Sequence, residues 1–115
     1  MDQLGKEGMV KRFEFCMELA WKTLKDYLEH QGVVLPQITP GAVLKEAVAA
    51  KLIDNGEDWM AALDARNKMG RTYDLKHFET VVRQISQKYL ECFRQLFTTL
   101  VEKDRQWREQ YLTTD

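Results

Sequence analysis

The sequence predicts an all-α protein built as an antiparallel helical bundle, and three observations predict it. Glycine and proline are scarce, six and two in 115 residues, while Ala, Leu, Glu, Lys and Gln are plentiful. That balance favours helix over sheet. Apolar residues recur at three- and four-residue steps over most of the chain, the period of a helix with one buried face. No run alternates strictly between apolar and polar in the manner of a half-buried strand.

Taken in order, residues 1 to 8 are polar and broken by Gly5 and Gly8, and are expected to fray. From Met9 a helix begins, with Phe13, Met17, Ala20, Leu24 and Tyr27/Leu28 as its apolar stripe. Phe15, Cys16, Leu19 and Trp21 widen that stripe until the helix needs cover on more than one side. Phe13, Phe15, Trp21 and Phe93 stand at core spacing and read as packing, not as a base-stacking platform. Gly32 is a fitting residue just past the helix end, and a protonated His30 in the last turn suits the helix dipole.

Residues 33–38 form a connector in which Pro36 discourages regular structure. Thr39-Pro40 then supplies a helix cap and first residue in the preferred order. Val43, Leu44, Ala47, Val48 and Leu52 are the packing face of the second helix. Asp54-Asn55-Gly56 is a turn. Glu57 and Asp58 open the third helix where its dipole favours anions, with Trp59, Met60 and Leu63 on the apolar side. Asp74 is the expected cap of the last and longest helix, patterned by Phe78, Val82, Ile85, Tyr89, Phe93, Leu96 and Leu100. The same spacing runs on through Trp107 and Tyr111, so residues 101–115 are expected to extend the helix beyond the body of one 1–115 domain.

Composition narrows the function classes. The chain is 44% hydrophobic and 30% charged with a formal net charge of -1, so no global field draws nucleic acid or an anionic membrane. Any nucleotide or RNA must be held by a local cluster. The two cysteines, Cys16 and Cys92, sit in apolar helical runs and read as free thiols. No apolar run approaches the length that spans a bilayer, and a cytoplasmic protein is the expectation. There is no zinc spacing, phosphate loop, glycine-rich dinucleotide loop or Glu-x-x-His pair, so no metal site is expected.

The chemistry concentrates in Arg66-Asn67-Lys68-Met69-Gly70-Arg71-Thr72-Tyr73, where one helical pattern runs out before the longest begins. Two guanidiniums, an amide and a phenol fall within eight residues at a glycine-marked break. On the residues alone two readings stand: a solvated cationic helix end that caps itself, or a phosphate- or partner-binding site. Tyr73 reads by default as a half-buried core tyrosine.

The string Arg12-Phe-Glu-Phe-Cys-Met-Glu-Leu-Ala-Trp-Lys-Thr-Leu-Lys-Asp-Tyr-Leu28, followed by His-Gln-Gly, resembles the signature of the nucleotidyltransferase substrate-binding proteins of the HEPN superfamily. A Pro-started helix with Lys-Glu-Ala, then Leu-Ile-Asp-Asn-Gly, Trp59-x-x-x-Leu63-x-x-Arg66-Asn67 and Thr72-Tyr73-Asp74 continue the likeness over residues 10–100. The resemblance implies a four-helix-type bundle that forms a homodimer and accompanies a separate minimal nucleotidyltransferase, commonly as a toxin–antitoxin module. It implies that ATP and Mg²⁺ belong to the transferase and that this chain carries no cofactor of its own. Such proteins include ribonucleases with an Arg-x4-His motif near a helix end, and a tyrosine that the transferase can modify with AMP.

Carried over by position, the motif's arginine is Arg66, its polar neighbour Asn67 and its tyrosine Tyr73, while Arg71 stands where the histidine would be. A guanidinium stays protonated and has no acceptor, so Arg71 cannot serve as a general base, though it can stabilise phosphate charge. His77 lies on the next helix and is a poor replacement. Glu14 and Glu18, four apart on the first helix, are candidates to pair with Arg12, Lys22 or a motif arginine and so orient it. The family also has a further helix ahead of the Arg-Phe-Glu-Phe string, and a second protomer, with exchanged helices as one route, is expected to supply the missing cover. The expected function is a companion subunit presenting Arg66, Asn67, Arg71 and Tyr73. The alternatives are a metal-independent toxin ribonuclease with a degenerate motif, and a purely structural helical dimer.

Overall fold

The computed structural model describes residues 2–69 and 75–112, and within them every regular element is helical. The elements are α1 (Gln3–His30), α2 (Pro40–Ala49), α3 (Gly56–Met69), α4 (Leu75–Gln84), a π-helical turn (Ile85–Tyr89) and α5 (Leu90–Tyr111). The expected helical bundle is the observed fold. The last three elements follow without a break, so the one long final helix is present but carries a π turn that no residue pattern announced. Asp74, its expected cap, lies outside the described residues.

Local chemistry explains most boundaries. Residues 3–8 are helical, not frayed: the Asp2 side chain accepts from the Gly5 N–H at 2.7 Å, and Lys6 reaches Glu79 on α4 at 3.0 Å. A cap and a tertiary tie outweigh the two glycines. At the other end of α1, Gly32 adopts φ 86°, and Val33 N–H returns to the Leu28 carbonyl at 3.0 Å. This is a Schellman stop, and it needs the left-handed residue that glycine supplies at least cost. α2 opens on Thr39, whose hydroxyl accepts from the Ala42 N–H. It closes on the same kind of turn, with Leu52 N–H bonded to the Ala47 carbonyl at 2.9 Å. There the left-handed position is filled by Lys51, at φ 61°.

The core runs along one face of α1 through Val10, Phe13, Met17, Ala20, Leu24 and Leu28. It is completed by Val43, Leu44 and Ala47 of α2, by Trp59, Ala62, Leu63 and Ala65 of α3, and by Phe78, Val81, Val82, Ile85, Tyr89, Cys92 and Leu96 of the final helix. Full burial of each large side chain contributes about 1.5–3 kcal/mol. Phe13 is the hub: its ring stacks on Tyr89 at 5.3 Å and leans on Phe93 at 6.2 Å, and Phe93 meets the edge of Trp59 at 5.6 Å. α2 and α3 form an antiparallel pair, with Gly56 against Val48 at one end and Gly41 near Leu63 at the other. α1 and the final helix run side by side in the same sense: Lys6 meets Glu79, Phe13 meets Tyr89, and Tyr27 and His30 share a cleft with Lys103 and Trp107.

Several expected core residues are not buried. Phe15 is 70% exposed and Leu19 57%, because they lie two residues from Phe13 and Met17, on the back of α1. Val48 and Met60 also face outward, their places in the packing taken by Ala47 and by the small side chains Ala62 and Ala65. Cys92 is buried, Cys16 is half-buried, and both are free. Residues 101–112 are exposed throughout, with the Trp107 and Tyr111 rings 5.4 Å apart near the end of α5. No helix of the described residues is long and apolar enough to cross a membrane.

Candidate functional site

α3 carries its charges in the order its dipole prefers, Glu57 and Asp58 in the first turn and Arg66 and Lys68 in the last. Ala62 and Ala65 are buried and small, so this end of α3 sits close to α1. Arg66 comes next to Ala65 and is half-buried, at the edge of that contact. Its Nη2 donates to Glu18 Oε2 at 2.8 Å, joining residues 48 apart in the chain.

Glu18 is itself held in place. The indole Nε1 of Trp21 donates to the same Oε2 at 3.1 Å, and Lys22 Nζ lies 3.1 Å from Oε1. The indole N–H first, then Lys22 and the Arg66 charge, hold the Glu18 carboxyl below its ordinary range against the opposing effect of burial. The carboxylate therefore stays ionised near neutral pH and anchors Arg66 in one orientation. A guanidinium has five N–H donors, and among the described residues only Nη2 of Arg66 is engaged. A planar, permanently charged group of this kind can bind an anion through two parallel hydrogen bonds.

Of the residues singled out in the sequence, the structure brings Arg66 and Glu18 into contact and leaves Asn67 exposed beside them. Arg71 and Tyr73 lie outside the described residues. Among the described residues Glu14 makes no ion pair, while Lys68 turns away to Asp64 at 3.0 Å. His77 is half-buried on α4. Trp21 was expected only as packing, yet its N–H is a working donor. The signal available was its position three residues after Glu18, where helix side chains meet. Among the described residues no group of three or more His, Cys, Asp or Glu is placed to hold a metal ion.

The arrangement suits binding and orientation of an anion better than proton transfer. Neither a guanidinium nor an amide side chain accepts a proton near neutral pH, and the carboxylate present is committed to three donors.

Comparison with known proteins identifies the family. A family model described as nucleotidyltransferase substrate binding protein like matches residues 1–102. A protein of Haemophilus influenzae named probable ribonuclease HepT is 33% identical over 109 residues, an alignment covering 90% of this chain and 69% of that protein. The string around Glu18 and Trp21 and the arginine they anchor thus lie inside a matched region that spans nearly the whole bundle, and the chain belongs to the nucleotidyltransferase substrate-binding protein-like family, of HEPN type.

Proposed function

We propose that this chain is the companion subunit of a separate minimal nucleotidyltransferase, presenting the end of α3 as a surface for nucleotide, RNA or the transferase itself. The observation that carries this reading is Arg66, anchored through one nitrogen by Glu18 and flanked by exposed Asn67. Arg71 adds a second permanent cation in the chain immediately after α3, and Tyr73 follows as the candidate AMP acceptor. In that reaction the Tyr73 hydroxyl oxygen bonds to the α-phosphorus of ATP, pyrophosphate leaves, and Mg²⁺ and ATP are supplied by the transferase. The two proteins together would act as a toxin–antitoxin-like module. Exposed Phe15, Leu19, Phe97 and Val101 are the surface on which we place the homodimer.

The test is intact-protein mass after incubation with a purified transferase of this class, Mg²⁺ and ATP. A gain of one or more AMP units, abolished in Tyr73→Phe, establishes the acceptor role. Co-elution of the two proteins without a mass gain leaves a binding subunit. Absence of both the mass gain and co-elution overturns the reading. A homodimer requires twice the chain mass in light scattering at micromolar concentration.

A second reading, a metal-independent ribonuclease, is favoured by the name of the Haemophilus influenzae relative. Against it stands Arg71 in place of an imidazole, which removes the obvious proton carrier. Cleavage of RNA and growth arrest, both lost on Arg66→Ala, would establish it.

A further inference from the structure

Glu18 and Arg66 are unequally provided for. The carboxylate has three donors, Trp21 Nε1 at 3.1 Å, Arg66 Nη2 at 2.8 Å and Lys22 Nζ at 3.1 Å. Two of the three come from its own helix, three and four residues on, where helical side chains meet. If Arg66 moved away, Glu18 would keep an indole N–H and an ammonium. Its ionisation does not rest on Arg66 either. The Trp21 and Lys22 hydrogen bonds do more than the Arg66 charge to hold the carboxyl below its ordinary range. Both partners reach solvent, Arg66 at 27% and Glu18 at 37%, so they can part without opening the core.

Arg66 is placed differently. Among the described residues Glu18 is its acceptor, and Lys68, the other cation of that turn, is taken up by Asp64 at 3.0 Å. A guanidinium offers an oxyanion two edges, each a pair of parallel N–H groups, and Nη2 belongs to both. Glu18 holds that nitrogen. An incoming anion therefore makes its two bonds beside the Glu18 carboxylate, against its charge, or in its place. For a monoanion the exchange swaps one unit charge for another. It also gives up a partner that the fold holds at high effective concentration. For a dianion the attraction to the guanidinium doubles.

We propose that Glu18 is an internal competitor for the ligand of Arg66, a latch that a doubly charged anion displaces and a singly charged one does not. The end of α3 thereby selects a terminal phosphate monoester over an internal phosphodiester. The inference rests on the ligand-binding role given to Arg66 above and names the ligand class. Trp21 and Lys22 make the latch reversible, because they keep Glu18 satisfied while Arg66 is engaged elsewhere.

The probe is uridine 5′-monophosphate, with its methyl ester as control, added to the full chain up to about 10 mM at constant ionic strength, a range that captures millimolar affinity. Well above the second phosphate ionisation near about pH 6, the monoester carries two charges and the methyl ester one. Base and sugar are the same in both. The readout is the NMR signals of the Arg66 Nε–H and the Trp21 indole N–H. Saturable shifts are expected with the monoester, and binding about tenfold weaker with the methyl ester. Glu18→Gln removes the competing charge and should tighten the methyl ester about tenfold, narrowing the gap between the two ligands. Trp21→Phe leaves Glu18 a donor short, so its hold on Arg66 tightens and monoester affinity falls. That fall should vanish when Trp21→Phe is combined with Glu18→Gln, whereas a merely structural loss would persist. Equal affinity for the two ligands in the parent, or unchanged or weaker binding in a folded Glu18→Gln, overturns the latch and leaves the proposed function to its own test by mass and co-elution. Absence of shifts with either ligand in both the parent and Glu18→Gln overturns the latch and the ligand-binding role of Arg66 together.

Discussion

Two sets of ion pairs show how differently the same chemistry acts in two regions of this molecule. Glu18 and Arg66 join helices 48 residues apart, both half-buried, with Trp21 and Lys22 closing on the same carboxylate. On the last turns of α5, Arg105 pairs with Glu102 and Glu109, and Arg108 with Asp104, all within one or two turns of one exposed helix. The first pair fixes where one helix lies on another. The second set only supports a helix that already exists, in water that screens it. Number of ion pairs is therefore a poor guide to what holds this fold; the sequence distance they bridge is a better one.

The largest expected effect tests the apolar side of that contrast. Phe13→Ala removes the ring that links α1 to Tyr89 and Phe93, and should cost about 3–5 kcal/mol in a urea melt, a large share of the roughly 5–15 kcal/mol available to a domain of this kind. A loss below about 1 kcal/mol would mean the aromatic hub is not the join between α1 and the final helix.

Next comes the long-range pair itself. Glu18→Ala leaves Arg66 without its anchor, and should cost roughly 1 kcal/mol after allowance for screening at side chains this exposed. The pH dependence sharpens it. Glu18 is deprotonated more readily in the folded than in the unfolded chain, so its contribution is complete above the ordinary carboxylate value of about 4.3. It is lost as pH falls through the lowered folded value. Between about pH 5 and pH 3 the parent protein should therefore lose more stability than Glu18→Gln. Parallel curves would mean that the Glu18 network is absent in solution.

A smaller effect, of opposite sign, is expected at Lys51. Lys51→Gly relieves a left-handed backbone and should stabilise by about 0.5–1 kcal/mol, the strain recovered less the entropy glycine adds to the unfolded chain. Smallest of all is Arg105→Ala, which should leave the melting temperature of the body within experimental error. A clear drop would show that these exposed turns of α5 are covered by something in solution.

What was legible in the sequence follows the same division between local and distant. Thr39-Pro40, Gly32 and Asp54-Asn55-Gly56 could be placed because a cap, a left-handed residue and a turn are each decided within about five residues. The fraying expected of residues 1 to 8 failed where Asp2 supplied a cap and Glu79 a distant partner. Phe15 and Leu19 were assigned to packing because an apolar residue on a helix signals that cover is wanted, not whether the same chain provides it. Glu18 had several arginines and lysines in prospect, and only the approach of α3 to α1 selects Arg66. The family's own string marked the region of the site, but the anchoring role of the Trp21 N–H required coordinates.

The π turn at residues 85–89 carries one more residue than an α-helical path of the same length would need. Everything after Leu90 is accordingly phased about 100° from where an unbroken α-helix would leave it. Phe97, which lines a groove with Leu19 and Cys16, owes that position to chain length at a point two turns earlier. Deleting one of the exposed residues Ser86, Gln87 or Lys88 would let the turn revert to α-helix and swing Phe97 and Val101 off that face, and it would turn Cys92 and Leu96 out of the core with them. The direction in which the protein offers its apolar stripe is thus written as an insertion, and the same extra residue sets which side of α5 enters the core.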